Sequence, residues 1–191
     1  ALINAIKNGK TVTVVFELQA RFDEENNMYW SNVMREHGAR VIYGIPSLKV
    51  HAKLLQITRK SGKSEQIIAH VGTGNFHGDT AKIYTDFSLL TARTEITNEV
   101  KKVFNLLENN IERATYRNLF VSPFNTRRRF ATLIQEEIKN AKKGLSASID
   151  IKLNNLVDDK LIKKLYEAAA AGVKLRIIVR GICCLNPTLK K

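Results

Sequence analysis

The chain has 191 residues and a mass of 21.6 kDa, and 44% of its residues are apolar, so it can bury the core of one large domain or slightly more. Its net charge of +13 and pI near 9.9 predict a polyanionic partner, such as nucleic acid, a nucleotide, polyphosphate or an acidic lipid. No apolar run approaches the ~18 residues of a membrane span, which excludes an integral membrane protein, and the first residues lack a signal-peptide pattern.

The first half of the chain predicts alternating strands and helices. The predicted strands cover residues 11–18, 39–44, 48–57, 66–72 and 83–91. A helix opened by Asp23 and stopped by Gly38 separates the first two strands, and residues 95–113 form a second helix. The turn sequence RKSGKS joins the third and fourth strands, which therefore form a hairpin.

The second half restarts this pattern near residue 119. We expect strands over 119–122, 145–153 and 173–180, and helices over 126–143 and 158–171. Such alternation predicts an α/β protein with a mixed sheet flanked by helices.

A faint internal repeat relates the two halves. Ile6-Lys7-Asn8 matches Ile138-Lys139-Asn140, and Gly38 matches Gly172. The alternative explanation is that any two helix–strand units look alike. If the repeat is real, the chain holds one nearly complete copy and the start of a second.

The sequence HxK at residues 51–53 is the first pattern that indicates chemistry. On a strand, Lys49, His51 and Lys53 share one face, so the imidazole lies between two cations that lower its pKa and keep it neutral. A neutral imidazole is a nucleophile toward phosphorus, and a lysine beside it can hold phosphoryl oxygens. Taken alone the pattern is weak, because a stray histidine on a solvent-facing strand explains it equally well.

A glycine-rich sequence, GTGN at residues 72–75, begins 21 residues after His51. Its glycines would let backbone amides approach an anion closely, although an ordinary turn is the alternative. HxK followed at this distance by GTGN resembles the phospholipase D superfamily, in which the histidine attacks phosphorus. That superfamily usually has an aspartate five residues after the lysine, where this chain has Thr58, and the difference counts against an ordinary phospholipase or nuclease.

Six longer segments resemble the bacterial polyphosphate kinase family. They cover residues 17–27, 41–54, 69–77, 84–92, 123–125 and 179–185. The resemblance extends over essentially the whole chain. It implies two phospholipase D-like domains, residues 1–117 truncated at the N-terminus and residues 118–191 truncated at the C-terminus.

The resemblance also implies a function and a set of site residues. The function is reversible transfer of the ATP γ-phosphoryl group to polyphosphate through a phosphohistidine, with Mg²⁺ as cofactor and ATP, ADP and polyphosphate as partners. The implied residues are His51 as nucleophile, Lys53 and Asn75 on the phosphoryl group, Tyr84 and Arg180 at the ATP site, and Arg21 at the magnesium–phosphate site. No nucleic acid is required, and the parent enzyme is expected to be a homo-oligomer.

Simpler explanations exist for three of these residues. Arg21 could be an exposed residue at a helix entry, Tyr84 a core ring and Arg180 a charge at a strand end. The family also has an upstream arginine and a second histidine that this chain lacks, so we expect the chain alone to be inactive.

Two other functions stay open at the sequence level. They are a phospholipase D-like nuclease or phosphatidyl transferase, and a non-catalytic module that binds polyanions. No helix-turn-helix, zinc-ligand or RNP-type aromatic pattern supports nucleic-acid binding. The two cysteines, Cys183 and Cys184, are adjacent, which excludes a disulfide framework and predicts a cytoplasmic location, with membrane association as the alternative.

Overall fold

The computed structural model describes residues 1–17, 24–46, 48–62, 64–109 and 114–188. The chain divides into two compact units, Ala1–Leu119 and Phe120–Lys191. The elements of the first unit are α1 (Leu2–Lys7), β1 (Thr13–Phe16), α2 (Glu24–Glu36), β2 (Arg40–Tyr43), β3 (Lys53–Ser61), β4 (Ser64–Gly72), α3 (Gly78–Ile83), β5 (Ser88–Thr91) and α4 (Thr94–Asn109). Those of the second unit are α5 (Thr126–Lys142), β6 (Ser148–Leu153), α6 (Asp159–Ala170) and β7 (Lys174–Val179).

The first unit pairs its strands in two separate sheets. β1 and β2 are parallel, with Val14 opposite Val41. β3, β4 and β5 form an antiparallel sheet with β4 in the centre, which confirms the predicted hairpin. The α/β class is confirmed. However, parallel and antiparallel pairings are not combined in one mixed sheet among the described residues.

The third predicted strand is wrong over its first residues, because β3 begins only at Lys53. Side chains hold the backbone just before that point. The Val50 amide donates to the Glu17 carboxylate over 2.6 Å, and the His51 carbonyl oxygen accepts from Lys53 Nζ over 2.8 Å. These backbone groups are therefore not available to a neighbouring strand.

Helix α4 supports the antiparallel sheet by packing against β3 and β4. Its buried apolar residues, Val100, Val103, Leu106 and Leu107, recur at the spacing of one helix face. Ala69 in the central strand is fully buried. The predicted helix 95–113 is confirmed over Thr94–Asn109, and residues 110–113 lie outside the described part.

Two further strand predictions are wrong. Residues 119–122 form no strand, because the buried Glu99 carboxylate accepts the amides of Arg117, Asn118 and Leu119, and Asn125 Oδ1 accepts the Val121 amide. The predicted strand 83–91 is shortened to Ser88–Thr91. Ile83 ends the short helix α3, which was not predicted from the sequence, and the Phe87 amide donates to the Thr73 hydroxyl instead of a strand.

The second unit repeats an order of elements found in the first. Both contain a helix, a strand, a helix and a strand, and the two strands are parallel in each. Gly38 and Gly172 follow the second helix with φ of 90° and 92°, a left-handed conformation that glycine adopts without strain.

The core of the second unit consists of apolar side chains from α5, α6 and the residues around β6 and β7. They are Ile134, Ile138, Leu156, Ile162, Leu165, Ala168 and Val173. Asp158 caps α6 by accepting the Leu161 amide over 3.0 Å. Among the described residues of both units, no helix combines the length and apolar character needed to cross a membrane.

Candidate functional site

The His51 and Lys53 side chains contact each other at the start of β3. The Lys53 ammonium lies 3.0 Å from His51 Nδ1 and 3.2 Å from Nε2. Lys53 is only 8% exposed, whereas His51 is exposed to solvent. The HxK spacing therefore places a lysine charge against an accessible imidazole, although His51 precedes the strand rather than belonging to it.

This arrangement perturbs the titration of both groups. Partial burial and the charges of Lys53 and Lys49 lower the pKa of His51 below 6.5, so the imidazole is neutral at pH 7. Burial also lowers the pKa of Lys53, while the nearby Asp86 carboxylate acts in the opposite direction and favours the ammonium form.

The antiparallel register brings the second sequence pattern to the same end of the sheet. Lys53 is paired with Gly72, which is also paired with Ser88 of β5. The GTGN sequence follows Gly72 directly, and the segment from Tyr84 to Phe87 leads into Ser88. Residues 16 and 19 positions apart in sequence are therefore neighbours in the fold.

Asp86 is a site residue that the sequence analysis missed. Its Oδ1 accepts the Thr73 hydroxyl over 2.9 Å, and the same hydroxyl accepts the Phe87 amide over 3.0 Å. Thr58 stands where the phospholipase D superfamily usually has an aspartate. It is five residues along β3 from Lys53, which is about 17 Å in a strand.

The two glycines of the GTGN loop permit close approaches. A Cβ atom on Gly74 would lie 2.3 Å from Asp86 Oδ2, and one on Gly72 would lie 2.6 Å from Cε1 of His70. A side chain at Gly74 would therefore displace the Asp86 carboxylate.

Asn75 and Tyr84 also lie close in sequence to this end of the sheet, because Asn75 follows β4 and Tyr84 precedes β5. Asn75 is exposed, three residues after Gly72. Tyr84 caps the end of α3 and is 49% exposed, so its ring is not part of the core. Both side chains are accessible to a ligand.

The structure describes one of the two arginines predicted as site residues. Arg180 follows β7 in the second unit, and its Nε donates to Asn154 Oδ1 over 2.9 Å. It therefore lies at the carboxyl end of a parallel pair of strands, where α/β proteins often bind ligands. Arg21 lies outside the described residues, and its predicted role stays a prediction.

The described residues do not by themselves make a magnesium centre. They contain no cluster of three or more histidine, cysteine, aspartate or glutamate side chains that could hold a metal ion. The Asp86 carboxylate, which acts on Lys53, already accepts the Thr73 hydroxyl. We therefore assign no catalytic step to magnesium, and its involvement stays a prediction from the resemblance.

Comparison with known proteins identifies the family. Residues 1–113 match the family model "Polyphosphate kinase C-terminal domain 1", and residues 119–191 match "Polyphosphate kinase C-terminal domain 2". The chain belongs to the polyphosphate kinase family. The sequence resemblance to that family is therefore confirmed, while the proposed domain limits and the roles of individual residues stay predictions.

Similar proteins named polyphosphate kinase match nearly the whole chain. The protein of Vibrio parahaemolyticus is 54% identical over 190 residues, and that of Escherichia coli strain K12 is 50% identical over 190 residues. A crystal structure of the polyphosphate kinase of Porphyromonas gingivalis has a TM-score of 0.83 at 43% identity over 98% of the chain. The chain spans only 27% and 28% of the two sequence relatives, and 31% of the crystallised protein.

Proposed function

We propose that this chain carries the phosphoryl-transfer residues of a polyphosphate kinase, with His51 as the nucleophile. The observation that supports this most is the contact between an accessible, neutral imidazole and the Lys53 ammonium in a chain of this family. The imidazole can form a bond to phosphorus, and the ammonium can offset the charge on the phosphoryl oxygens.

In the first step, a ring nitrogen of His51 attacks the γ-phosphorus of ATP. A nitrogen–phosphorus bond forms as the bond between the γ-phosphorus and the β,γ-bridging oxygen breaks, and that oxygen leaves with ADP. Because His51 is already neutral at pH 7, no separate proton removal is needed before the attack.

In the second step, a terminal oxygen of polyphosphate attacks the phosphorus of phosphohistidine. The nitrogen–phosphorus bond breaks, its electron pair returns to the imidazole, and the polyphosphate is one unit longer. Running both steps backwards forms ATP from ADP and polyphosphate. Splitting the transfer into two displacements lets one site serve both directions.

Lys53 has two roles in this mechanism. Before ATP binds, its ammonium occupies the space next to both ring nitrogens of His51. When the γ-phosphoryl group enters, the ammonium moves its hydrogen bonds to the phosphoryl oxygens, which frees a ring nitrogen for attack. Asp86 favours the charged form of Lys53 and so keeps it able to do this.

The remaining residues have roles carried over from the resemblance. Asn75 would donate to the phosphoryl group, Tyr84 and Arg180 would bind ATP, and Arg21 would hold the phosphate that magnesium also contacts. The same proposal includes two phospholipase D-like domains, over residues 1–117 and 118–191. A cytoplasmic location and a homo-oligomeric parent enzyme are predictions of the same kind.

An isotope-exchange experiment tests the two-step mechanism. This chain would replace the matching segment of the Vibrio parahaemolyticus polyphosphate kinase, which gives a full-length chimeric enzyme. With labelled ADP, ATP and no polyphosphate, we expect label to exchange into ATP, because only the first step and its reverse are needed. His51→Ala should abolish this exchange, while His37→Ala, at an exposed histidine after α2, should retain it.

The outcomes are distinct. No exchange in a chimera whose unmodified relative shows exchange would contradict a working site in this chain. Exchange that survives His51→Ala would contradict His51 as the nucleophile.

A further inference from the structure

The second unit contains a concavity with a volume of about 340 Å³ between the start of α5 and the start of α6. This volume is at the lower end of the roughly 300–1,000 Å³ typical of ligand pockets. Four cationic residues contribute to its lining, and no aspartate or glutamate does. We call this surface the cationic groove, and its charged residues are Arg127, Arg128, Lys160 and Lys164.

Two of the four cations are held by carboxylates that lie outside the lining. Arg127 Nε is 2.6 Å from Asp158 Oδ2, and Lys164 Nζ is 2.7 Å from Glu167 Oε2. Asp158 is itself fixed as the N-cap of α6. These ion pairs keep both side chains in place at the groove.

The other two cations, Arg128 and Lys160, are free to bind an anion. Both are exposed, and neither has an ion-pair partner in the part of the chain that the structure describes. Two positive charges without an ion-pair partner among the described residues therefore line the cationic groove, one from α5 and one from α6. A single such lysine or arginine on a surface is ordinary, but this pair lines a shared concavity.

The positive surface continues beyond the cationic groove. Arg128 also borders a second concavity of about 210 Å³ along α5, which includes Arg129 and ends at Glu136. The Arg129 guanidinium lies 4.3 Å from the centre of the Phe120 ring, which positions its charge. Arg127, Arg128 and Arg129 thus lie in the first turn of α5, and cations at both concavities suit an extended anion better than a single phosphate.

We propose that the cationic groove binds a segment of the polyphosphate chain. This inference rests on the proposed function, which makes a linear polyanion the substrate and product of the protein. Every residue of the groove belongs to the second unit, and none of them takes part in the His51–Lys53 contact. Polyphosphate fits better than single-stranded nucleic acid, which would need several aromatic platforms for its bases, because only one aromatic ring, that of Phe124, lines the groove.

Direct binding to the 191-residue chain tests this proposal. The probe is a fluorescently labelled linear polyphosphate of defined length, and its anisotropy gives Kd at several salt concentrations. The test variant is Arg128→Gln/Lys160→Gln. The matched control is Lys139→Gln/Lys143→Gln, which removes the same charge at the other end of α5, about 16 Å or more from Arg128.

We expect the groove variant to raise Kd at least about tenfold, because two charged contacts to phosphate are lost. The slope of log Kd against log salt should also fall by about 1.4, at about 0.7 for each lost contact. The control should change Kd by less than about threefold, through the loss of general attraction alone. Circular dichroism and thermal unfolding of both variants should match the unmodified chain, because the substituted side chains are exposed.

Equal losses in the two variants would overturn the proposal, because binding would then reflect net charge only. A single-stranded oligonucleotide of equal charge that binds as tightly, and with the same sensitivity to the groove variant, would overturn the choice of polyphosphate. The binding measurement compares variants of the groove alone, whereas the isotope exchange compares variants at His51. Failure of His51 as the nucleophile would therefore leave the binding result intact, and failure of the groove would leave the isotope exchange intact.

Discussion

Partial burial and the neighbouring Lys53 and Lys49 charges favour the neutral form of His51 that the proposed chemistry requires. A protonated imidazole has no lone pair for phosphorus, so the lowered pKa of His51 extends the range in which it can react. The lowered pKa also makes the folded chain less stable in acid. Because the unfolded chain binds a proton on this histidine at a higher pH than the folded chain does, the free energy of unfolding falls as the pH drops below 6.5.

A histidine NMR titration of the 191-residue chain checks this effect. We expect the pKa of His51 to lie below 6.5 and to rise in Lys53→Met, which removes one of the two nearby charges. Lys101→Met, at an exposed position on α4, is the matched control and should leave the titration unchanged. A His51 pKa at or above 6.5 in the unmodified chain would refute this electrostatic account.

Gly74 is a second position where one residue determines the geometry of the site. A Cβ atom there would lie 2.3 Å from Asp86 Oδ2, so Gly74→Ala should displace the carboxylate and destabilise the chain by about 1–3 kcal/mol. Gly78→Ala is the control, because a Cβ atom at this position would meet no atom within 4 Å. The substitution should therefore be neutral or slightly stabilising. Urea unfolding of both variants measures the difference, and equal stabilities would show that the loop accommodates a side chain.

At the scale of elements, the successes and failures of sequence-based prediction have a common physical basis. Helices α4, α5 and α6 and the β3–β4 hairpin were predictable because their apolar periodicity and turn residues act locally. The predictions failed where a distant side chain holds the backbone. Glu17 at Val50 and Glu99 at residues 117–119 prevent strands that the local sequence favours, and no local pattern identifies such contacts.

Prediction of the candidate site succeeded and failed for the same reasons. His51, Lys53 and the GTGN loop could be found from the sequence because their spacing resembles a known pattern. Asp86 could not, because its role depends on the pairing of β4 with β5 and on the close approach at Gly74.

Glu99 offers a test at the scale of elements. Its carboxylate is 5% exposed, and its hydrogen bonds from Leu119, Arg117 and Asn118 outweigh the effect of burial and lower its pKa below 4.5. A group with a lowered pKa stabilises the fold above its unfolded pKa, and this contribution is lost as the pH falls below about 4.5.

Glu99→Gln should therefore destabilise the chain at pH 7 by about 1–3 kcal/mol and weaken the loss of stability in acid. Glu95→Gln, at an exposed site one turn earlier in α4, should cost about 0.5 kcal/mol or less. Chemical unfolding at pH 7 and pH 4 provides both values. A Glu99→Gln variant as stable as Glu95→Gln at pH 7 would show that the amides of residues 117–119 do not need the carboxylate.

At the scale of the whole molecule, the net charge of +13 suits a polyanionic ligand, and the proposed catalysis draws on an enzyme of which this chain spans only part. The matched relatives are more than three times longer than the chain. Residues that act as a unit in catalysis have strongly non-additive effects, so a chain that spans less than a third of its relatives should lose nearly all turnover.

We therefore expect the 191-residue chain to bind polyphosphate in a salt-dependent way but not to extend it. Incubation with ATP, magnesium and a short polyphosphate primer, followed by gel electrophoresis, checks this. The chimeric Vibrio parahaemolyticus enzyme is the positive control. Product ladders from the isolated chain at a rate near that of the chimera would show that the catalytic unit is smaller than we propose.

The position of the phosphoryl group on the protein is the most direct test of the central proposal. The chimeric enzyme would be incubated with γ-labelled ATP, digested at alkaline pH to preserve phosphohistidine, and mapped by mass spectrometry. We predict an acid-labile phosphoryl group on His51, which disappears in His51→Ala and persists in His37→Ala. A phosphoryl group mapped to any other residue, or retained in His51→Ala, would contradict the assignment of His51 as the nucleophile.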